Sequence, residues 1–189
     1  ALTYPIYSRI ENYPITHTVT MKLDNFPKTD EKFYDFRKSI NINNDSLIYY
    51  SPYSKYIRDY LYNATYSLGH KPMINEFSSD FTVDLLTTID QKISSKETKN
   101  AFLKQTTITH FYRKSSCDIN KKAFDTYLKL SSNIDDKKLV QALLNDNETL
   151  QKDKAITPFL ITDFNNTKHA IKKVLEGKDS FLLFWNPEY

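Results

Sequence analysis

Ser51-Pro-Tyr-Ser-Lys-Tyr-Ile-Arg-Asp-Tyr-Leu-Tyr-Asn-Ala-Thr-Tyr-Ser-Leu-Gly69 is the stretch that decides the fold class. Tyr53, Tyr56, Ile57, Tyr60, Leu61, Ala64 and Leu68 recur at the three- and four-residue spacing of one helical face. Ser51 is a candidate N-cap, and Pro52 suits the first helical position, where a missing N–H costs no hydrogen bond. Gly69 offers a stop at the far end, with Pro72 beyond it. The tyrosine stripe reads as packing rather than as a sugar platform, because phenol rings bury large area while their hydroxyls reach polar partners at the edge.

The same period continues downstream. Residues 79–94 place Phe81, Leu85, Ile89 and Ile93 on one face with Leu86 alongside. Ser95 is positioned to cap a helix over 96–114, where Phe102, Ile108 and Tyr112 mix with Thr106, Thr107 and Thr109. Threonine is a weak helix former, so this segment must borrow stability from packing. A helix over 120–131 groups Phe124, Tyr127 and Leu128, and one over 135–151 opens on Asp135-Asp136, where the helix dipole favours negative charge. Short loops between such helices predict antiparallel neighbours. Upstream, residues 1–28 read as an irregular lead-in. Leu2, Ile6 and Ile10 have helical spacing, though Pro5 and Pro14 interrupt it, and a helix that gives way to an extended arm through Val19–Leu23 is expected. The expectation is a mainly α protein with a helical domain over 1–151.

Composition narrows the function classes. Hydrophobic residues make up 40% of the chain and aromatics 14%, ample for a packed core. There are only two glycines, where average usage of ~7% predicts about thirteen. That excludes a glycine-rich phosphate loop. The net charge is +3 and the basic residues are interleaved with acidic ones, so no cationic face for nucleic acid is expected. No run approaches the ~20 apolar residues of a membrane span.

The search for chemistry returns no catalytic, cofactor-binding or metal-binding residue, and no cofactor is expected. His17, His70, His110 and His169 are scattered without metal-ligand spacing. His110 reads as a half-buried hydrogen-bonding residue near Tyr112 and Arg113. Asp84, Asp90 and Glu97 fall on mixed faces and read as solvated. Cys117 is the single cysteine, so no internal disulfide forms, and Ser115-Ser-Cys-Asp118 reads as an interhelix loop. Asp35, Arg37 and Arg58 lie among aromatic residues, where an arginine can pair with a carboxylate and stack on a ring. Arg37 or Arg58 is expected to tie the 29–49 segment to the helical core.

From residue 152 the pattern changes. Phe159–Phe164 alternates as a strand, Asn165-Asn166 turns into a short helix ending near Leu175, and Gly177-Lys178 leads to Phe181-Leu-Leu-Phe-Trp185, a buried-strand signature. In this order the elements resemble the opening of a thioredoxin-like domain of the TlpA/ResA type, in which a strand ending in Phe-Trp precedes the active-site Cys-x-x-Cys. The resemblance covers residues 155–189. It implies the first β–β–α–β part of a thioredoxin-like domain, an incomplete α/β segment over 152–189 of a longer polypeptide. In that branch the first cysteine follows Phe-Trp after three residues; counted from Trp185, this position is Tyr189. A phenol, with a pKa near ~10, forms no mixed disulfide.

A second resemblance joins Phe33-Tyr-Asp-Phe-Arg-Lys-Ser-Ile-Asn-Ile-Asn43, Asp45-Ser-Leu-Ile-Tyr-Tyr-Ser-Pro-Tyr53 and Tyr56-Ile-Arg-Asp-Tyr-Leu-Tyr-Asn63. This pattern of helices and aromatics is similar to the helical insert upstream of such domains in Bacteroidetes envelope proteins. Asp45-Ser46-Leu47 also matches the three-residue O-glycosylation pattern of those proteins. The resemblances imply an exported, redox-inactive thioredoxin-like protein of the periplasm or outer membrane, with a protein partner and a lipid anchor, if any, outside this segment. Two alternatives stand beside it: a periplasmic thiol–disulfide oxidoreductase whose Cys-x-x-Cys lies beyond Tyr189, and a helical adaptor or glycan-binding module.

Overall fold

A computed structural model describes residues 3–72, 78–113, 117–149, 158–177 and 179–180. It is mainly α, and it divides into two compact units, residues 1–148 and 149–189. The expected joint over 152–157 and the expected strand Phe181–Trp185 lie outside the described residues.

The first unit opens on α1, Thr3–Thr20. The expected helix is present but runs through Pro14 to Thr20, which corrects the irregular lead-in and the extended arm over Val19–Leu23. Pro5 stands in the first turn, where its missing N–H has no helical partner to lose, and Pro14 is carried inside the helix. The Thr18 hydroxyl donates to the Pro14 carbonyl at 2.8 Å, and Ser8, Glu11, Pro14 and Thr18 are buried along the helix. Tyr4 lies edge-on to Tyr53 with ring centroids 5.2 Å apart, and Tyr7 stacks on Phe36 at 4.5 Å. The helix closes with Lys22 in the left-handed region (φ 51°) and the Leu23 N–H bonded to the Thr18 carbonyl at 3.0 Å, a stop that normally uses glycine.

Two 3-10 segments, Glu31–Ser39 and Asp45–Leu47, lead to α2, Ser51–Tyr66. Pro52 stands in its first turn as expected, but the N-cap residue is Tyr50 and makes no side-chain cap. Past the end of α2, Gly69 takes φ +107°, a conformation L side chains rarely adopt. Contacts of α1 with α2 climb together, Tyr4 to Tyr53, Ser8 to Asp59 and Glu11 to Asn63, so these two helices run parallel. The long 21–50 connection makes this feasible; the antiparallel expectation applies only across short loops.

It does apply further on. Helix α3 (Ser79–Lys92) meets α4 (Lys96–Arg113) through Thr82 with His110 and Asp90 with Lys99. Helix α4 meets α5 (Cys117–Leu130) through Phe111 with Phe124, and Asn100 with Ser131 beyond the end of α5. Both pairs are antiparallel. Cys117 thus begins a helix instead of lying in the expected loop. Ser78 caps α3, its hydroxyl accepting from the Phe81 N–H at 3.0 Å. The core gathers Tyr53, Ile57, Leu61, Tyr66, Phe81, Leu86 and Leu103, each at most 1% exposed.

The N-terminus of α4 is capped from a distance. Asp45 Oδ1 accepts the Thr98 N–H at 3.1 Å and the Thr98 hydroxyl at 2.6 Å, and also the Ser95 hydroxyl. The Asn43 side-chain carbonyl takes the Ser94 and Ser95 N–H groups at 2.7 and 3.1 Å. Ser95 therefore does not cap the helix with its side chain as expected; Asp45 does. The bonds from Ser95 and Thr98, against an opposing effect of burial, hold the Asp45 carboxyl below its ordinary 3.8. A depressed folded-state pKa adds stability that is complete above the unfolded value and lost as pH falls through the folded one. Amide exchange at Thr98 is accordingly expected to accelerate, relative to other α4 amides, once pH drops below about 4. Unchanged relative protection through that range would remove Asp45 from the cap.

Helix α6, Ile134–Thr149, is the last helix of the first unit, which ends at Glu148. Asn133 Oδ1 accepts the Asp135 and Asp136 N–H groups at 3.1 and 3.0 Å, and Asp136 pairs with Lys104 at 2.8 Å. In the second unit, β1 (Leu160–Thr162) pairs antiparallel with β2 (Lys168–Ala170), Ile161 opposite His169, and α7 (Ile171–Leu175) follows directly. Strand, strand and short helix follow one another in the β–β–α order that the sequence leads one to expect, with the last strand outside the described residues. Asp163 Oδ1 accepts the Asn165 and Thr167 N–H groups at 2.8 and 2.9 Å, and Asn166 adopts φ 60° to close the hairpin.

Candidate functional site

Residues singled out in the sequence disperse across the structure. His17 stacks on Tyr13 with centroids 5.6 Å apart, His70 meets Asp84 at 2.7 Å, and His169 meets Asp163 at 2.8 Å. His110 is buried, 4% exposed, with Nδ1 2.8 Å from the Thr82 hydroxyl. Asp84 and Asp90, read as solvated, are both paired, Asp90 with Lys99 at 2.8 Å. Among the described residues no group of three His, Cys, Asp or Glu is placed to hold a metal, and no helix is long and apolar enough to cross a membrane. Asp45 is committed to capping α4, while Ser46 is exposed. Tyr189 lies outside the described residues.

Arg37 does tie its segment to the core. Its guanidinium forks onto Glu11, Nε to Oε1 at 2.7 Å and Nη2 to Oε2 at 2.5 Å, and lies between the rings of Tyr34 and Tyr60 at 3.7 and 4.8 Å. Glu11 is fully buried and also accepts from the Asn63 amide at 2.8 Å. Burial pulls the Arg37 pKa down, but the hydrogen bond and charge of Glu11 outweigh it and hold it above its usual value. Glu11 carries no sequence signal: it is a lone carboxylate in a stretch read as irregular. Asp35 pairs instead with exposed Lys38 at 2.6 Å. This cluster is satisfied on every side and is structural.

Arg58 lies elsewhere. It projects from α2 into an open groove of about 760 Å³ between α2 and α4, within the first unit. The α2 wall carries Ser54, Lys55, Arg58, Asp59 and Tyr62; the α4 wall carries Phe102, Gln105, Thr106, Thr109 and Arg113. Asn12 and Ile15 of α1 and Ile48 and Tyr49 close one side. A smaller recess of about 20 Å³ shares Tyr62, Thr106, Thr109 and Arg113 and reaches Phe81 and Leu85 of α3. Sequence reasoning missed the α4 wall because its residues are the threonines that look like poor helix formers. The inward face of α4 is instead Asn100, Leu103, Thr107, His110 and Phe111, while Phe102 and Ile108, expected inside, are half-buried and Tyr112 is 76% exposed.

The groove's charges are not equivalent. Lys55 bonds Asp59 at 2.5 Å and the Ser8 hydroxyl at 3.0 Å, and Ser8 donates to the same Asp59 oxygen. A serine hydroxyl beside a lysine amine can form a nucleophile–base pair, but only if the amine is neutral. Here Lys55 is ion-paired with Asp59 and Ser8 is 2% exposed, so the trio is an ion pair buttressed by a hydroxyl. Arg58 is exposed and makes no hydrogen bond, ion pair or ring contact with any described residue. Tyr49, on the rim, is 89% exposed. The arrangement can hold a ligand through hydroxyls, amides, rings and one unpaired cation. Among its described lining residues none is a serine or cysteine paired with a histidine base.

No family model matches the chain, and no curated protein or solved structure matches it.

Proposed function

We propose that this chain is a non-catalytic binding component whose binding face is the α2–α4 groove of its helical unit. The observation that carries the reading is the groove itself: its volume falls in the ~300–1,000 Å³ range of ligand pockets, and its Lys55 is ion-paired with Asp59. In this reading the second unit belongs to a redox-inactive, thioredoxin-like segment of an exported envelope protein. Support for that part comes from the resemblance, from the order of hairpin, short helix and Gly177 turn, and from Tyr189 at the position of the nucleophilic cysteine.

The test is the dithiothreitol-driven reduction of insulin by the complete polypeptide. It is expected to leave the rate at its uncatalysed value. A severalfold acceleration that disappears after thiol alkylation would make the protein an oxidoreductase and end the non-catalytic reading.

A further inference from the structure

Resting on the reading of the α2–α4 groove as a binding face, we infer that its ligand is an extended acidic peptide segment of a partner protein, anchored by a carboxylate on Arg58. Charge is the first argument. With Lys55 and Asp59 satisfying each other, Arg58 is the groove cation whose guanidinium has all its donors directed to no described partner. A planar guanidinium presents a fork that matches a carboxylate, and such charge-assisted bonds are the strong ones.

Shape and polarity select an extended peptide. Lining residues on α2 run from Ser51 to Tyr66, a span of ~22 Å at 1.5 Å per residue, which accommodates roughly six or seven residues of extended chain at ~3.3 Å each. The backbone groups of both walls are consumed within their helices, so strand addition is not available to an incoming chain. Its N–H and C=O groups would need side-chain partners: Thr106 can donate and accept, Gln105 keeps its carbonyl and one amide hydrogen beside its bond to the Thr109 hydroxyl at 3.3 Å, and Ser54, which donates to the Ser51 carbonyl at 3.2 Å, can accept. Those same polar side chains interrupt the apolar lining that an amphipathic helix requires. Tyr49, Tyr62 and Phe102 offer ring faces for alternate side chains of the peptide.

The probes are fluorescein-labelled (Glu-Tyr)3 and (Lys-Tyr)3, titrated by anisotropy with the full chain, alongside unlabelled trigalacturonate as competitor. The acidic peptide is expected to bind at least ~10-fold more tightly than the basic one, and Arg58→Ala to weaken it about tenfold, a 1.4 kcal/mol difference. Arg58→Lys should recover part of that loss, and the melting temperature of both variants should match the parent because Arg58 is exposed and makes no hydrogen bond, ion pair or ring contact with a described residue. Equal binding of the two peptides, no effect of Arg58→Ala, or trigalacturonate binding more tightly than the acidic peptide would each overturn the inference. If both peptides bind equally yet weaken with Tyr49→Ala, the groove remains a binding face and only its acidic specificity falls. If neither binds while insulin is left intact, the acidic-peptide inference falls and the non-catalytic reading stands.

Discussion

Arg37→Ala is expected to lower the unfolding free energy by about 3 kcal/mol, the lower end of the range for breaking a buried ion pair. The lower end applies because the Arg37 side chain is 28% exposed while Glu11 is fully buried. Truncation strands the Glu11 carboxylate at zero exposure with the Asn63 amide as its remaining donor in this cluster, and it removes the guanidinium from between Tyr34 and Tyr60. The uncompensated carboxylate is the larger cost; the lost stacking adds less. For a chain of this length the melting temperature should fall by ~6–12 °C. Arg37→Lys should land between, since an ammonium keeps the charge but loses the fork and the stack. A melting temperature within a degree or two of the parent would mean that α1 and the 3-10 segment are not held by this pair.

Phe81→Ala should cost about as much or more, ~3–5 kcal/mol, by the transfer and cavity terms of a fully buried ring. Phe81 is 1% exposed and sits where α2, α3 and His70 converge, its ring centroid 4.8 Å from Tyr66, 5.6 Å from Tyr62 and 5.2 Å from His70. These side chains are large and fixed by one another, so the site collapses poorly around a missing ring. The same residue borders the recess beneath the groove, so its loss should also loosen the wall that holds Tyr62. Phe81→Leu, which keeps most of the volume, should cost well under half as much. Chemical denaturation of the three proteins reads the difference, and equal midpoints would place Phe81 outside the core.

How much of this is legible in the sequence depends on whether a residue's role is local. Helix α2 declares itself because its buried face is apolar and aromatic at regular spacing, with Pro52 at one end and Gly69 at the other. Helix α4 exists where the sequence places it, yet its core face is misread, since Asn100, Thr107 and His110 are polar residues buried by satisfied hydrogen bonds. Asn100 alone takes the Ser131 hydroxyl at 3.0 Å and the Ser132 N–H at 2.9 Å, and gives its amide to Ser132 and the Lys96 carbonyl. Hydropathy has no way to mark such a residue as internal. The threonine hydroxyls behave similarly: Thr107 donates to the Leu103 carbonyl at 2.9 Å, which lets it be buried without an orphan.

Long-range partners are the other blind spot. Arg37 is singled out by its aromatic neighbourhood, but Glu11 lies in a stretch whose prolines argue against a helix, so its carboxylate cannot be nominated before α1 is known to be continuous. Asp45 reads as part of a glycosylation pattern, whereas its side chain caps a helix about fifty residues away. The groove follows from neither composition nor motif. It arises because α2 and α4 both pack on α3, leaving Arg58 on one wall and Thr106 and Thr109 on the other.

The most direct test of the central claim is a chemical-shift map of the labelled chain during titration with (Glu-Tyr)3. Perturbations are expected to concentrate on Tyr49, Arg58, Tyr62, Gln105, Thr106 and Thr109 and to diminish in Arg58→Ala. Perturbations centred instead on the hairpin of residues 160–170, with those two helices unchanged, would show that the helical groove is not where this protein binds.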